Sequence, residues 1–472
     1  MSQMNEAYVR YQVRILQDEI QFQKRRLAEI PRWSVALGMQ AQRFYWTVTR
    51  LLGLGYLHDG SRKALPAAPL PMPAPETAPP PGRRIYLDVT STAASPLQSG
   101  IQRVVRRLSA EGAELFGAIP VIARDGRYVA TAGAPAIFAP GDRLLMIDST
   151  WAELQDVAPA MAAAKQGGAH VAFLIYDLIP LLYPGFSATG LAGLFAPWLT
   201  AMTSFCDSAI AISRDTAVQY RDWARENVPS AAERLQIGWF HLGADFVGAR
   251  ADESPPGARS HPSRDVAAFL RDDRLYFLAV GTVEPRKGHA TVLDAFERRW
   301  SAGDTSACVI AGRKGWNVEA LQARIVSHPE FGKRLFWFDD ASDADIAALY
   351  AKTRALIMAS LAEGFGLPLV EAAQFHAPVI ATDLPVFREI AGDQIDYFPA
   401  LDSAALADCI ARATQFKANA EHSSTAPAAP VIPDLSWAEA ATNLFRLQGD
   451  REFRSDHAGW LDEWRAAPVP AR

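Results

Sequence analysis

The stretch ALIMASLAEGFGLPLVEAAQFHAPVIATDLP, residues 355–385, restricts this chain to few architectures. Ala355 to Ala359 is an apolar run with the length of a buried strand, and Ser360 to Gly366 is a loop with two glycines. A helical pattern starts at Leu367 and is interrupted at Pro378, and Val379 to Thr382 reads as a second strand. The product is a strand, loop and helix unit of an α/β fold. Gly364 and Gly366 let the backbone approach a ligand closely, and the helix behind them offers unpaired N–H groups and the positive end of its dipole, which suits a phosphate. Glu363 lies in the loop and Glu371 about one turn into the helix. Carboxylates accept hydrogen bonds from vicinal hydroxyls, so two of them around a phosphate site suit the two sugars of a nucleotide sugar. The plainer alternative is a tight βα turn with Glu371 on a solvated helix face.

A second unit of the same kind lies upstream. Tyr276 to Val280 is an apolar strand, Gly281 to Gly288 a loop, and a helix follows from about His289. Arg286 and Lys287 then stand at the strand's carboxyl end, where open α/β sheets place their ligands. Ala307 to Ala311 is the next strand, with GRKGW as its loop, and Leu335 to Phe338 another. The acidic pair Asp343 and Asp345 is spaced like a D-x-D metal motif, but FDDASDADIAALY reads as the start of an amphipathic helix. Metal independence is therefore expected.

The E-x7-E pair inside EGFGLPLVEA, with FLAVGTVEPRKGHATVLDAF (Phe277 to Phe296) and AGRKGW (Ala311 to Trp316), resembles family 4 glycosyltransferases. These are retaining enzymes of the GT-B architecture, and the spelling is similar to their mannosyltransferase-B-like branch, which serves polysaccharide and O-antigen assembly. The resemblance covers roughly residues 84–445. It implies two Rossmann-like α/β domains facing across a cleft, with an acceptor domain at 84–265 and a nucleotide-sugar domain at 266–435. The donor is a nucleotide sugar, GDP-mannose by the branch, with no further cofactor; a deoxyhexose donor is the alternative. By the same resemblance Arg286 and Lys287 stabilise the departing phosphates, Glu363 holds the hexose and Glu371 the ribose. Gly281, Gly364, Phe365, Gly366 and Leu367 line the donor site, and Gly312 and Lys314 approach the nucleotide.

Fixed cations at a departing diphosphate act more strongly on the transition state than on the ground state, because negative charge accumulates there as the glycosidic bond breaks. The expected reaction is attack and departure on one face of the sugar, with the leaving phosphate taking the acceptor proton. Competing readings are a non-catalytic scaffold that keeps the shell and, less well matched, a GT-B epimerase.

The first half reads more sparsely. Arg84 to Val89 is a short strand, and a loop leads through Ser99 and Gly100 into a helix carrying Arg103. In relatives this loop lies over the donor phosphates, a role carried to Gly100 and to Arg103; an N-cap with a basic surface helix is the alternative. Arg143 to Asp148 and His170 to Tyr176 read as strands, and Asp177 falls at the end of the second. The matching position lies near the reacting carbon in relatives, often in a His-Asp pair, whereas Tyr176 replaces the histidine here. Asp177 would orient the acceptor hydroxyl or accept its proton, or merely cap the loop before Pro180. Strand and helix follow at 207–223 with Ser213 as N-cap, then a strand at 235–240. His241 and Asp245 either line the cleft or pack the hinge, and 250–264 is the interdomain linker.

Composition bounds the rest. The chain has 472 residues, 49% hydrophobic, enough for two or three domains. A net charge of -5 gives no global preference for nucleic acid. Cys206, Cys308 and Cys409 match no ligand spacing, so a reduced cytoplasmic protein without a secretory signal is expected. Residues 178–206 are uncharged, yet their prolines and glycines argue for short buried helices and not for a membrane span. The N-terminal appendage, 1–62, is expected to be helical. Residues 5–30 space Val9, Val13, Leu16, Ile20 and Leu27 like a short coiled coil, for pairing with a second copy or for packing on the body. Residues 32–57 form a basic amphipathic pattern, with Arg32, Arg43 and Arg50 beside a stripe including Trp33 and Phe44. That suits an anionic membrane interface holding a lipid-linked acceptor, or a core contact with a solvated basic face. Residues 63–83 are a Pro/Ala-rich spacer, and 436–472 are expected to form C-terminal helices, with Ser455 to Trp464 crossing back to the first half.

Overall fold

A computed structural model describes residues 84–95, 100–188, 190–245, 261–420 and 435–447, with 416–420 described by their backbone alone. The helices expected at 5–30, 32–57 and 455–464, the spacer 63–83, Ser99 and most of the 250–264 linker lie outside these residues.

The described chain builds two sheets. The first has seven strands: β1 (Ile85–Asp88), β2 (Ile119–Arg124), β3 (Arg127–Ala130), β4 (Arg143–Met146), β5 (His170–Ile175), β6 (Ser208–Ala211) and β7 (Gln236–Trp239). Their order is β3-β2-β1-β4-β5-β6-β7, parallel throughout except for the antiparallel β2–β3 pair. Its helices are α1 (Thr90–Ala94), α2 (Gly100–Phe116), α3 (Leu154–Gln166), α4 (Ile179–Leu182), α5 (Leu191–Phe205), α6 (Arg214–Asn227) and α7 (Pro229–Ala232).

The second sheet, all parallel, comprises β8 (Tyr276–Val280), β9 (Ala307–Ala311), β10 (Leu335–Phe338), β11 (Leu356–Met358), β12 (Val379–Thr382) and β13 (Asp396–Phe398), in the order β10-β9-β8-β11-β12-β13. It is accompanied by α8 (Arg264–Phe269), α9 (His289–Ser301), α10 (Glu319–Val326), α11 (Asp343–Tyr350), α12 (Leu367–Gln374), α13 (Pro385–Ala391) and α14 (Ser403–Ala420). α8 starts two residues before the expected boundary: Ser263 caps it by accepting from Val266 N, and the Phe269 ring packs tilted against Phe336 of the second sheet. A last helix, α15 (Trp437–Leu447), follows the second sheet in sequence but packs on α2 of the first. It falls within the stretch 436–472 expected to be helical, while Ser455–Trp464 lies outside the described residues.

Strands buried on both faces read as continuous apolar runs; all five residues of β9 are buried, as are the last five of β5. One apolar cluster joins Leu87, Val105 and Leu174 of the first half to Leu278, Phe365 and Phe387 of the second, with Trp437 and Leu444 of α15 inside it. Residues 178–206 fold as short segments and the fifteen-residue α5, which tolerates Pro197. Among the described residues no helix is long and apolar enough to cross a membrane.

The strand orders fix where a ligand fits. In the second sheet the chain leaves β8 toward β9 on one side and returns at β11 on the other, so the loops after β8 and β11 splay apart at their carboxyl ends. Such a switch point forms the crevice of an open α/β sheet. Arg286 and Lys287 lie on one of those loops, Glu363 on the other.

Candidate active site

One glycine lets the loops after β8 and β11 meet. Gly288 has φ 67°, and a Cβ there would sit 2.0 Å from the carbonyl oxygen of Ala359. Only glycine lets Pro285–Lys287 turn once and start α9 against that strand end. Leu361 N then donates to Arg286 O at 2.7 Å, and Arg286 Nη1 to Ala362 O at 3.1 Å.

Glu363 is the hub. One oxygen takes Lys287 Nζ at 2.5 Å and Ser360 Oγ at 2.8 Å, and the other takes Arg286 Nη1 at 2.7 Å. Arg286 Nε also reaches the buried Glu284 at 2.7 Å. Burial alone would raise the Glu363 carboxyl, but Arg286, Lys287 and the hydrogen bonds outweigh it and hold it at about 2. Burial works against the charge on Arg286, and Glu363, Glu284 and Asp177 more than offset it, leaving the guanidinium above its ordinary value. Each cation here thus stands opposite a carboxylate, which is what makes such charges tolerable in a buried place. Lys287 Nζ also lies 3.7 Å from the point where a Cβ on Gly281 would be, an ordinary contact, and it is the φ of 130° that favours glycine there.

The second glutamate closes the other end of the cleft. Glu371, on α12 and buried, accepts from Arg103 Nη1 of α2 at 2.5 Å and from Tyr350 OH at 3.1 Å. Asp343 stands 3.6 Å from the same guanidinium. Burial raises the Glu371 carboxyl, and Arg103 and Tyr350 pull it back only in part. Arg103 and Glu371 meet although 268 residues separate them.

Gly364 touches the first half. A Cβ on it would lie 1.9 Å from Tyr176 O and 3.2 Å from Asp177 Cβ. Asp177 also faces the charges of Arg286, Glu363 and Glu284; burial raises its carboxyl, partly opposed by Arg286 and the Ile179 N–H. That N–H donates to Asp177 Oδ1 at 2.9 Å, so the loop-capping and cleft-facing roles coexist. Tyr176 does not substitute for a histidine in the cleft, because its hydroxyl donates to Ile147 O at 2.6 Å inside the first half.

Other expected contacts are placed differently. The Phe365 side chain is turned into the shared apolar cluster, which leaves its backbone to a ligand, while Leu367 packs against that cluster and is half-buried. Gly366, at φ 106°, lies on the ring of Phe387. Gly312 lets the loop after β9 lie on that after β8, since a Cβ would be 1.9 Å from Gly281 O, and the Lys314 side chain is exposed. Gly100 is exposed in open space at the start of α2. His241 crosses to Glu389 at 2.7 Å, while Asp245 accepts from Trp437 N at 2.5 Å and so serves the junction with α15. Asp345 is a helix cap, accepting from Ser342 N, Ser342 Oγ and Ser263 N. Reading the sequence missed Glu284, Ser360 and Tyr350. Glu284 had a signal, an acid directly before Pro-Arg-Lys in a loop leading to a crevice.

Two facing Rossmann-like halves with a charge cluster at the switch point of the second make the GT-B fold, and residues 264–422 match the family Glycosyl transferases group 1. In fold the chain is similar to sucrose-phosphate synthase from Thermosynechococcus elongatus, with TM-score 0.51 and 16% identity over 76% of this chain and 92% of that one. In sequence it is 33% identical over 388 residues to the serotype-specific mannosyltransferase WbdA of Escherichia coli, which is 77% of this chain and 46% of WbdA. The O-antigen chain mannosyltransferase RfbU of Salmonella typhimurium matches at 34% over 116 residues, 24% of this chain and 31% of RfbU. The chain spans less than half the length of these relatives.

Proposed function

We propose that this chain transfers mannose from GDP-mannose, with retention and without a metal, to a glycan or lipid-linked acceptor in bacterial polysaccharide assembly. The observation that carries the reading is the Arg286–Glu363–Lys287 cluster at the switch point, beside the N-terminus of α12. A diphosphate entering there meets an ammonium, a guanidinium and helix N–H groups, and each gains strength as negative charge grows on the leaving oxygen. Lys287 has three donors and spends one on Glu363 Oε1, so it turns to phosphate without abandoning its carboxylate. Glu371 takes the ribose hydroxyls once Arg103 gives way, and Arg103 then faces the phosphates. Asp177 sits where an acceptor hydroxyl approaches the anomeric carbon from the first half. Similarity to mannosyltransferases favours the donor. The fixed cations, and the use of Asp345 as a helix cap, support the metal-free reading.

The test is nucleotide release from a panel of nucleotide sugars, with and without chelator, using lipid-linked mannosyl acceptors and anomeric assignment of the product by NMR. The expected result is release from GDP-mannose, insensitive to chelator, with an α-linked product. Release only from a deoxyhexose donor overturns the mannose assignment; loss on chelation overturns metal independence. Deleting residues 1–60 and measuring liposome partition tests the membrane contact; unchanged partition ends it.

A further inference from the structure

The first turn of α6, in the first half, is gripped by two separate segments of the second. Glu389, on α13, accepts from Arg214 N at 2.8 Å through Oε1 and from Asp215 N at 2.9 Å through Oε2. These are the first two helical N–H groups of α6, which no residue within a helix can satisfy. His241 Nε2 reaches Glu389 Oε1 at 2.7 Å, and because a carboxylate only accepts, that ring nitrogen carries the proton. On the same turn Ser213 Oγ donates to Gly364 O at 2.7 Å and Thr216 Oγ1 to the same oxygen at 3.1 Å, while Ser213 Oγ itself caps Thr216 N. Phe365 completes the contact, its ring centroid 5.7 Å from that of His241.

We infer that Glu389 is a positioning residue for the transfer: by capping α6 from across the cleft it seats the Glu363–Gly364 loop against Asp177. The inference rests on the proposed function for its kinetic arm alone. Gly364 is the link. Its carbonyl is held by α6, its α-carbon lies on Tyr176 O, and its neighbour Glu363 holds both cations. When this contact opens, the two N–H groups of α6 turn to water and Glu389 loses partners, so closing it gains charge-assisted hydrogen bonds. Contacts of that kind are reversible, as a cleft that must release product requires. Among its charged neighbours, Asp215, half-buried beside Glu389, opposes the capping carboxylate, and His241 supports it.

The experiment compares wild type with Glu389→Gln, whose amide turns one donor toward a backbone N–H, and with Glu389→Asp, which keeps the charge on a shorter stem. Three quantities are read: GDP affinity by calorimetry, turnover of GDP-mannose, and hydrogen exchange of residues 213–217 and 360–366. In Glu389→Gln we expect GDP affinity within about twofold, since the nucleotide's contacts lie elsewhere, and kcat lower by about tenfold or more, the scale of a misplaced reacting group. Exchange should quicken in both segments and stay unchanged in β8 and β9, with partial recovery in Glu389→Asp. Unchanged exchange in residues 213–217 and 360–366, or kcat within twofold of wild type, overturns the assignment. If wild type does not turn over GDP-mannose, the donor assignment fails, and the exchange arm still decides the role of Glu389. If Glu389→Gln does not fold, Glu389→Asp carries the same comparison, and unchanged exchange there overturns it.

Discussion

Glu363 divides its two oxygens between an ammonium and a guanidinium, and this division lets Lys287 be tested apart from Arg286. In Lys287→Ala, Glu363 keeps Arg286 and Ser360, so the loop has no uncompensated carboxylate and should stay folded. What is lost is the donor that turns to phosphate. The kcat/KM for the nucleotide sugar should fall by about 100-fold or more, the usual effect of removing one preorganised donor at a developing charge. Turnover near that of wild type would remove Lys287 from the mechanism. Asp177 gives a second test at this scale. Its carboxyl is raised, first by burial, so as a base it is lost when the pH falls through a value above the ordinary carboxylate range. The acid limb of kcat/KM should lie above that range and vanish in Asp177→Asn; a limb that survives assigns Asp177 to orientation alone. Glu363, held at about 2, contributes nothing to this limb.

At the scale of elements, β1 ends on a buried acid whose hydrogen-bond donors are neutral. Asp88 accepts Tyr128 OH from β3 at 2.8 Å and Thr90 N at 2.8 Å. Burial pushes its carboxyl up to about 6, opposed by Thr90 and Tyr128 and reinforced by Asp148. A carboxyl raised in the folded state keeps its proton longer folded than unfolded, so stability falls as pH rises from the unfolded value through the folded one. Asp88→Asn removes that loss. The variant should gain on wild type by on the order of 2–3 kcal/mol between pH 4 and pH 7. Urea midpoints at both pH values measure it, and parallel pH profiles would falsify the account. Elements differ in how far the sequence betrayed them. β8, β9 and β12 lie where their apolar runs put them, because strands covered on both faces need no alternation to be seen. The β2–β3 hairpin went unread although Asp125-Gly126 announces it: both residues have positive φ, 50° and 72°, as a two-residue hairpin turn demands. β13 has only three residues, one of them buried, and carries no periodicity to detect.

Across the whole molecule, the contacts that unite the halves were invisible in the sequence for one reason: they join residues far apart in the chain. Arg103 meets Glu371, and Glu389 meets α6, through geometry that no local pattern encodes, whereas each side of the charge cluster belongs to a readable strand-loop-helix unit. The same holds for α15. It follows the second sheet yet buries Leu444 and Phe445 against the first half, so the chain crosses between the halves twice. The Phe445 ring stands 4.8 Å from that of Phe116, over a socket left open by Gly112, where a Cβ would lie 2.7 Å from the ring. Asp245 and Gly243 hold the other end of α15, the latter with no space for a side chain against Trp437 N. Phe445→Ala empties the socket and should cost about 3 kcal/mol, the usual loss for a buried aromatic. Because the lost contact is with α2, the damage should appear there. Hydrogen exchange of residues 100–116 should quicken, residues 276–311 should keep their protection, and GDP should still bind, since α9 and α12 are untouched. Uniform loss of protection in both sheets would instead mean that the halves unfold as one body, with α15 acting as a common support and not as a strap on the first half.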